Sequence, residues 1–321
     1  MALPRLILHF DVNETIILED AAGGDTRSDC VNKCIAKSLY LRSTNPPVLL
    51  NGENLTDLTS PLSIEDAMKS IHTSFEAIPG ATSYYKSPLK PNVRNWDLHP
   101  HGKLLVKLRE SVSNKMKSHF ILPAFFTTVV ELTRQKREFS IVIRTFGSDL
   151  GDIFTAISSF AKGEHPQFPE FQDASLIIDP LDTEMKLVYE RDGVFTVSNQ
   201  DRCLSQKEFL SEIERKRIFG VTDDYDFWSK NGCKPACGKP AFTTQNQNGF
   251  HHILFDDNIN CDADNSIVGV YEIPAWTLLS GKATIKLHNH CIVRVPTISA
   301  IFSPRFFLDA IKLCEQNRAE T

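Results

Sequence analysis

The feature that most limits the possible folds of this chain is an apolar run that ends abruptly in an aspartate. The run is Leu6 to Phe10, and Asp11, Asn13 and Thr15 follow it at alternate positions. Its composition is typical of a buried strand, and open α/β sheets place their binding chemistry at the carboxyl ends of such strands. A carboxylate there costs free energy unless it is paired, hydrogen-bonded or bound to a metal. The segment therefore predicts a polar site at one edge of a sheet.

Composition excludes several classes of protein. The chain has 321 residues, of which 41% are hydrophobic and 23% charged, as in ordinary globular proteins. The formal net charge is -5 and there is no long run of Lys or Arg, so we expect no nucleic-acid partner. The first apolar run reaches Asp11 too early for a signal peptide, and no run is long enough to span a bilayer. We expect a cytoplasmic protein with no membrane partner.

The eight cysteines predict free thiols rather than a disulfide framework, since no secretory signal accompanies them. Two pairs invite a metal interpretation, Cys30 with Cys34 and Cys233 with Cys237. Neither pair has a second well-spaced pair of Cys or His to complete four ligands. A structural zinc site is therefore the less favoured alternative.

Strand patterns alternate with helix-length segments, which predicts an α/β fold with a mostly parallel sheet. A helix is expected from about Ser28 to Arg42, capped by Ser28 or Asp29. Residues 43–119 differ in character, because they hold seven prolines and only short helical pieces such as Ser63 to Phe75. We expect a core formed by 1–42 and 120–321, with 43–119 inserted into it.

Regular alternation continues in the second half of the chain. The pattern predicts a helix at 123–137, a strand ending at Thr145, a helix at 149–162, a short strand around Ile177, a hairpin turning at Asp192-Gly193, a helix at 205–217, a strand ending at Asp256, a strand at 291–297 and a closing helix at 304–315.

Three of the predicted strands end in polar groups, and a lysine precedes the last of them. In a parallel sheet these ends share one edge, so the groups are expected to converge. Carboxylates with a lysine and a hydroxyl suit Mg²⁺-assisted phosphoryl transfer, in which an Asp can serve as nucleophile. The groups are Asp11, Asn13 and Thr15, then Thr145, then Asp256 and Asp257, with Lys239 in the preceding loop.

Four segments in this order resemble the motifs of the haloacid dehalogenase-like (HAD) superfamily. They are DVNET, IVIRT, GKP and ILFDDN, and the resemblance covers the predicted core. It implies a Rossmann-like three-layer sandwich with a mostly parallel central sheet. It also implies that 43–119, which lies between the first two motifs, is a cap-like segment covering the site.

The resemblance implies a metal site and a nucleophile. Asp11 would be the nucleophile and a Mg²⁺ ligand, and Asn13 would bind the metal through its backbone carbonyl. Asp256 would bind the metal directly, and Asp257 through water or from further out.

The resemblance also implies two groups for the phosphoryl oxygens. Thr145 would donate a hydrogen bond from its hydroxyl to a phosphoryl oxygen. Lys239 would neutralise the negative charge of Asp11 and of the phosphoryl group. Lys234, also followed by Pro, is a rival for the second role, but only Lys239 has the Gly-Lys-Pro context.

Position 13 departs from the family pattern. Phosphatases of the superfamily have an Asp there, which protonates the leaving group and then activates water. An amide does neither, and such acid–base help is worth about 10²–10⁴ in rate. The leading hypothesis is a Mg²⁺-dependent phosphohydrolase, slowed by Asn13, that acts through an aspartyl-phosphate on a small phosphorylated molecule or a phosphoprotein. The alternative is a silent module (a pseudoenzyme) that binds Mg²⁺, phosphate or a protein partner in a regulatory role.

Each residue of this set also has an ordinary interpretation when taken alone. Asp11 with Asn13 is compatible with a turn cap, and Asp256-Asp257 with a solvated loop. Thr145 and Lys239 would then be a structural hydroxyl and a surface lysine. Only the convergence of the set distinguishes the two interpretations.

Overall fold

A computed structural model gives the fold. It describes residues 3–19, 25–42, 47–49, 81–90, 93, 102–117, 120–178, 185–190, 194–244, 249–260 and 266–320. Most of the predicted insertion at 43–119, including the helical piece predicted at 63–75, lies outside these residues, as does the turn predicted at 192–193.

The described strands are β1 (Arg5–Asp11), β2 (Leu39–Arg42), β3 (Pro47–Leu49), β4 (Ala81–Ser83), β5 (Phe139–Thr145), β6 (Lys186–Tyr189), β7 (Phe195–Ser198), β8 (Cys203–Ser205), β9 (Ile218–Thr222), β10 (Lys239–Thr244), β11 (Phe250–Asp256), β12 (Val268–Ile273), β13 (Thr277–Leu278) and β14 (Ile292–Arg294).

The described helices are α1 (Arg27–Lys37), α2 (Gly102–Met116), α3 (Pro123–Arg134), α4 (Leu150–Ala161), α5 (Gln206–Arg215), α6 (Tyr225–Lys230), α7 (Gly281–Lys286), α8 (Thr297–Phe302) and α9 (Phe306–Glu320). Within the described parts of the chain, no helix combines the length and apolar character needed to cross a membrane.

The chain forms two compact units. The first comprises Met1–Val12, Thr128–Arg294 and Asp309–Thr321, and the second Asn13–Thr127 and Val295–Leu308. The predicted division into a core and an insertion at 43–119 stays a prediction, because so little of that insertion is described.

The first unit is built on an eight-stranded sheet in the order β14-β11-β1-β5-β9-β6-β7-β8. The strands from β14 to β6 run parallel, and β7 and β8 complete the sheet by antiparallel pairing. Every residue of β5 is buried, as are all residues of β1 but Arg5, which is typical of central parallel strands. The predicted mixed α/β fold with a mostly parallel sheet is confirmed.

The register of the sheet aligns the polar strand ends. Asp11 lies opposite Arg144 of β5, and Phe10 lies opposite Phe255 of β11. Asp11, Thr145 and Asp256 therefore lie at the same edge of the first unit's sheet.

The second unit holds a three-stranded antiparallel sheet in the order β3-β2-β4. Helix α1 begins at a capping box, in which Thr26 and Asp29 exchange hydrogen bonds. The buried Glu14 carboxylate contacts Lys33 at 2.6 Å and also Lys37.

The sequence predictions for the first helix and for the strand around Ile177 are wrong. The helix expected to reach Arg42 ends at Lys37 and starts after Thr26, because the capping box outcompetes the predicted caps and Leu39–Arg42 pairs as strand β2. The strand expected around Ile177 is a single 3₁₀ turn at Ala174–Leu176, where the Asp173 side chain accepts a hydrogen bond from the backbone N–H of Ser175.

Candidate active site

Three buried carboxylates meet at the carboxyl edge of the first unit's sheet. Asp11 ends β1, Asp256 ends β11, and Asp257 follows directly. One carboxylate oxygen from each lies within 4.8 Å of the others. Among the described residues this is the one group of His, Cys, Asp and Glu that converges closely enough to hold a metal, so neither cysteine pair forms such a group. Seven of the eight cysteines are described, and all seven are free thiols.

Lys239 contacts two of these carboxylates. Its Nζ donates to Asp11 Oδ1 and, at 2.9 Å, to Asp256 Oδ2. The residue is only 1% exposed. Lys234, the rival, is exposed and lies at the start of a 3₁₀ turn. The structure therefore brings Lys239 rather than Lys234 to the acidic cluster.

The backbone around Gly238 places Lys239. Lys239 begins strand β10 instead of lying in a loop as predicted, and its N–H donates to the Ile267 carbonyl at 2.8 Å. A Cβ on Gly238 would lie 1.9 Å from that same carbonyl oxygen. The GKP motif therefore requires glycine at position 238, because any side chain there would collide with the backbone at Ile267.

Charge–charge interactions in the cluster oppose each other. Burial raises the pKa of Asp11 well above its ordinary value, Asp256 and Asp257 raise it further, and Lys239 acts in the opposite direction. For Lys239, burial alone would lower the pKa, but Asp11 and Asp256 raise it above its ordinary value. The lysine is therefore cationic at neutral pH.

Thr145 lies at the same sheet edge, in a tight turn. Its Oγ1 accepts a hydrogen bond from the Gly147 N–H at 2.8 Å and donates to Asp149 Oδ2 at 3.3 Å. A Cβ on Gly147 would lie 2.5 Å from that Asp149 oxygen, so the turn is closely packed. The hydroxyl has a structural role here, and its predicted contact with a phosphoryl oxygen stays a prediction.

Asn13 belongs to the second unit, and its side-chain amide donates to the Glu19 carbonyl at 3.0 Å. Its predicted carbonyl contact with a metal is not tested by this geometry. The neighbouring Glu14 carboxylate is held by Lys33 and Lys37.

A buried ion pair beside the cluster was missed by sequence reasoning. Arg144 is fully buried and clamps Asp223 with two hydrogen bonds, one of them from Nε to Oδ2 at 3.0 Å. Its Nη1 also donates to the Pro240 carbonyl at 3.1 Å. Asp223 directly follows β9, but the sequence signal there is weaker than at Asp11, because β9 is only five residues long and includes Gly220. The next residue, Asp224, instead caps α6, where its side chain accepts a hydrogen bond from the Phe227 N–H at 2.9 Å.

An aromatic cluster adjoins Lys239. Phe146 directly follows Thr145, and its ring centroid is 5.1 Å from Lys239 Nζ. The ring stacks on Trp228 at a centroid distance of 5.3 Å and meets Tyr225 edge-on at 5.6 Å. Tyr225 is 51% exposed, so the cluster reaches solvent.

Two histidines near the start of β11, His251 and His252, are both buried. Neither contacts the acidic cluster through the hydrogen bonds described. His251 contacts the His290 carbonyl at 2.7 Å, and His252 lies between His9 at 3.2 Å and Glu214 at 3.3 Å. Burial lowers the pKa of both imidazoles. They act as neutral core residues at physiological pH.

No protein-family model, curated protein or solved structure matches the chain. The site itself combines buried carboxylates, a cationic lysine and an adjoining polar turn at the carboxyl edge of a parallel sheet.

Proposed function

We propose that this protein is a Mg²⁺-dependent phosphohydrolase of the HAD-like kind, with a Rossmann-like three-layer core, that cleaves phosphate monoesters through Asp11. One observation carries the proposal: Asp11, Asp256 and Asp257 converge with Lys239 at the carboxyl edge of a parallel sheet. Four residues that sequence motifs selected independently thus occupy one small volume.

The donor set fits a hard divalent cation. All three groups are carboxylates, and Mg²⁺ prefers oxygen ligands, with one or two carboxylates and several waters. When bound, Mg²⁺ would supply positive charge to the phosphoryl oxygens as a Lewis acid. Asp11, Asp256 and Asp257 would hold it.

The protein's own residues account for the transfer step. A carboxylate oxygen of Asp11 forms a bond to phosphorus while the bond from phosphorus to the ester oxygen breaks, and the leaving oxygen keeps the electron pair. Lys239 offsets the charge on the phosphoryl oxygens. Water then attacks the phosphorus while the bond from phosphorus to the Asp11 oxygen breaks, which restores the Asp11 carboxylate and leaves both protons of the water on the released phosphate.

Asn13 is expected to lower the rate of phosphate ester hydrolysis in this scheme. Because its amide cannot protonate the leaving oxygen or activate water, we expect turnover lower by about 10²–10⁴ than with an acid at that position. A substrate whose leaving group departs without a proton suffers least.

The test is hydrolysis of p-nitrophenyl phosphate with and without Mg²⁺ by the native protein, Asp11→Asn and Asn13→Asp. We expect Mg²⁺-dependent turnover that Asp11→Asn abolishes and Asn13→Asp raises. Full activity in Asp11→Asn would refute the proposal.

A silent module that binds Mg²⁺ with phosphate, or a protein partner, is the second candidate. The amide of Asn13 favours it, because its hydrogen bond to Glu19 is a structural use of a position where catalysis needs an acid. This candidate predicts that Mg²⁺ with phosphate raises the melting temperature while the native protein shows no turnover. Multiple turnover would exclude it.

A further inference from the structure

We propose that the substrates are aryl phosphate monoesters, whose planar group packs against the aromatic cluster of Phe146, Tyr225 and Trp228. The inference rests on the proposed function and adds the substrate class to it. Its basis is the juxtaposition of that cluster with the lysine that contacts the nucleophile.

Position is the first argument. Lys239 Nζ contacts Asp11 and lies 5.1 Å from the centroid of the Phe146 ring. A phosphate monoester that Asp11 attacks would bind beside Lys239, so its leaving group is expected within reach of the Phe146 ring. Trp228 stacks on the Phe146 ring with their centroids 5.3 Å apart and so helps to fix that ring's orientation.

Shape and exposure are the second argument. Phe146 and Trp228 are half-buried and Tyr225 is exposed, so the cluster forms a surface that leads from Lys239 to solvent. Aromatic groups pack offset or edge-to-face and gain about 0.5–1.5 kcal/mol beyond area burial. A planar leaving group finds such partners here, whereas a small alkyl group gains only contact area.

Leaving-group chemistry is the third argument. With Asn13 in place of an acid, the ester oxygen departs as an anion when its bond to phosphorus breaks. The pKa of a phenol such as that of tyrosine is about 10. Phenolate is therefore a far better leaving group than an alkoxide. The missing acid and the aromatic surface thus favour the same class of ester.

The test compares phenyl phosphate with acetyl phosphate in the full-length protein with Mg²⁺. Both leaving groups depart without protonation, but only one is aromatic. The variants are Phe146→Leu and Tyr225→Leu, and Phe168→Leu is the matched control. Phe168 is a half-buried ring that meets Phe160 edge-on, beyond the far end of α4, a helix of 12 residues that spans about 18 Å.

We expect Phe146→Leu to raise KM for phenyl phosphate about fivefold to tenfold more than it raises KM for acetyl phosphate. Tyr225→Leu should act in the same direction but less, and Phe168→Leu should match the native protein on both substrates. Equal effects of Phe146→Leu on the two substrates, or none, would overturn the inference.

A binding measurement keeps the inference separate from the proposed function. We expect calorimetry with Mg²⁺ to show tighter binding of phenylphosphonate than of methylphosphonate, and Phe146→Leu to remove that preference. If the native protein hydrolyses neither ester yet keeps this preference, the hydrolase proposal fails and the aromatic site stands. If the two phosphonates bind equally, the aromatic site fails whatever the turnover.

Discussion

Two sets of buried charges lie at the same edge of the first unit's sheet, and they are balanced differently. Asp223 is matched one to one by Arg144, which clamps it with two hydrogen bonds. In the acidic cluster, three carboxylates (Asp11, Asp256 and Asp257) converge, and a single lysine, Lys239, contacts two of them. A matched and hydrogen-bonded pair is complete as a structural element, whereas crowded carboxylates cost folding free energy and need a further cation.

The pKa of Asp11 expresses this difference. Burial raises it first, and the carboxylates of Asp256 and Asp257 raise it again. Such opposition between neighbouring groups is typical of functional sites. The contrast supports a structural role for the balanced pair and supports the proposed catalytic role of the crowded cluster.

The largest effect is expected where the balanced pair is broken. Arg144→Met leaves Asp223 buried without its clamp, so the free energy of unfolding should fall by about 3–5 kcal/mol, and Mg²⁺ should not restore it. Urea unfolding with and without Mg²⁺ measures both quantities. Arg134→Met is the control, because Arg134 is exposed and pairs with Glu131 only at the surface, where a loss of about 0–1 kcal/mol is expected. A loss in Arg144→Met no larger than in this control would refute the structural role.

Removal of the lysine from the crowded cluster should behave differently. Lys239→Met leaves the Asp11 and Asp256 carboxylates without the ammonium group between them. In the presence of EDTA we therefore expect the free energy of unfolding to fall by about 3 kcal/mol. Here Mg²⁺ should recover part of the loss, because the cation takes over the same charge. Thermal unfolding of native and variant protein in EDTA and in Mg²⁺ checks this. Equal losses in both conditions would mean that the carboxylates hold no cation.

Replacement of Asp by Asn should change the free energy of unfolding in opposite directions in the two sets of charges. Asp257→Asn removes a negative charge from the crowded cluster and relieves its repulsion. The free energy of unfolding of the metal-free protein should therefore rise by about 1 kcal/mol. Asp223→Asn weakens the clamp on Arg144 and should destabilise the protein. Parallel denaturant titrations in EDTA compare the two variants, and a loss in both would contradict the assignment of the cluster to chemistry.

Sequence reasoning reached the crowded cluster because its signal is local. Asp11 and Asp256 each end an apolar run, and Lys239 has a distinctive glycine before it. Such patterns predict strand ends, and parallel pairing then brings those ends together.

The balanced pair depends on information that is not local. Arg144 meets Asp223 only because β5 and β9 pair in a particular register, and β9 is too short a run to be told from a loop or helix by periodicity. The strand at Leu39–Arg42 was missed for a similar reason, since its helical pattern continues that of α1 while its neighbours in the sheet decide its structure.

The most direct test of the central claim is a calorimetric titration of Mg²⁺ into the native protein and Asp256→Asn, with Asp223→Asn as control. We expect the native protein and Asp223→Asn to bind one Mg²⁺ with similar affinity, and Asp256→Asn to bind at least about tenfold more weakly, equivalent to about 1.4 kcal/mol. Absence of Mg²⁺ binding by the native protein, or unchanged binding in Asp256→Asn, would contradict the account.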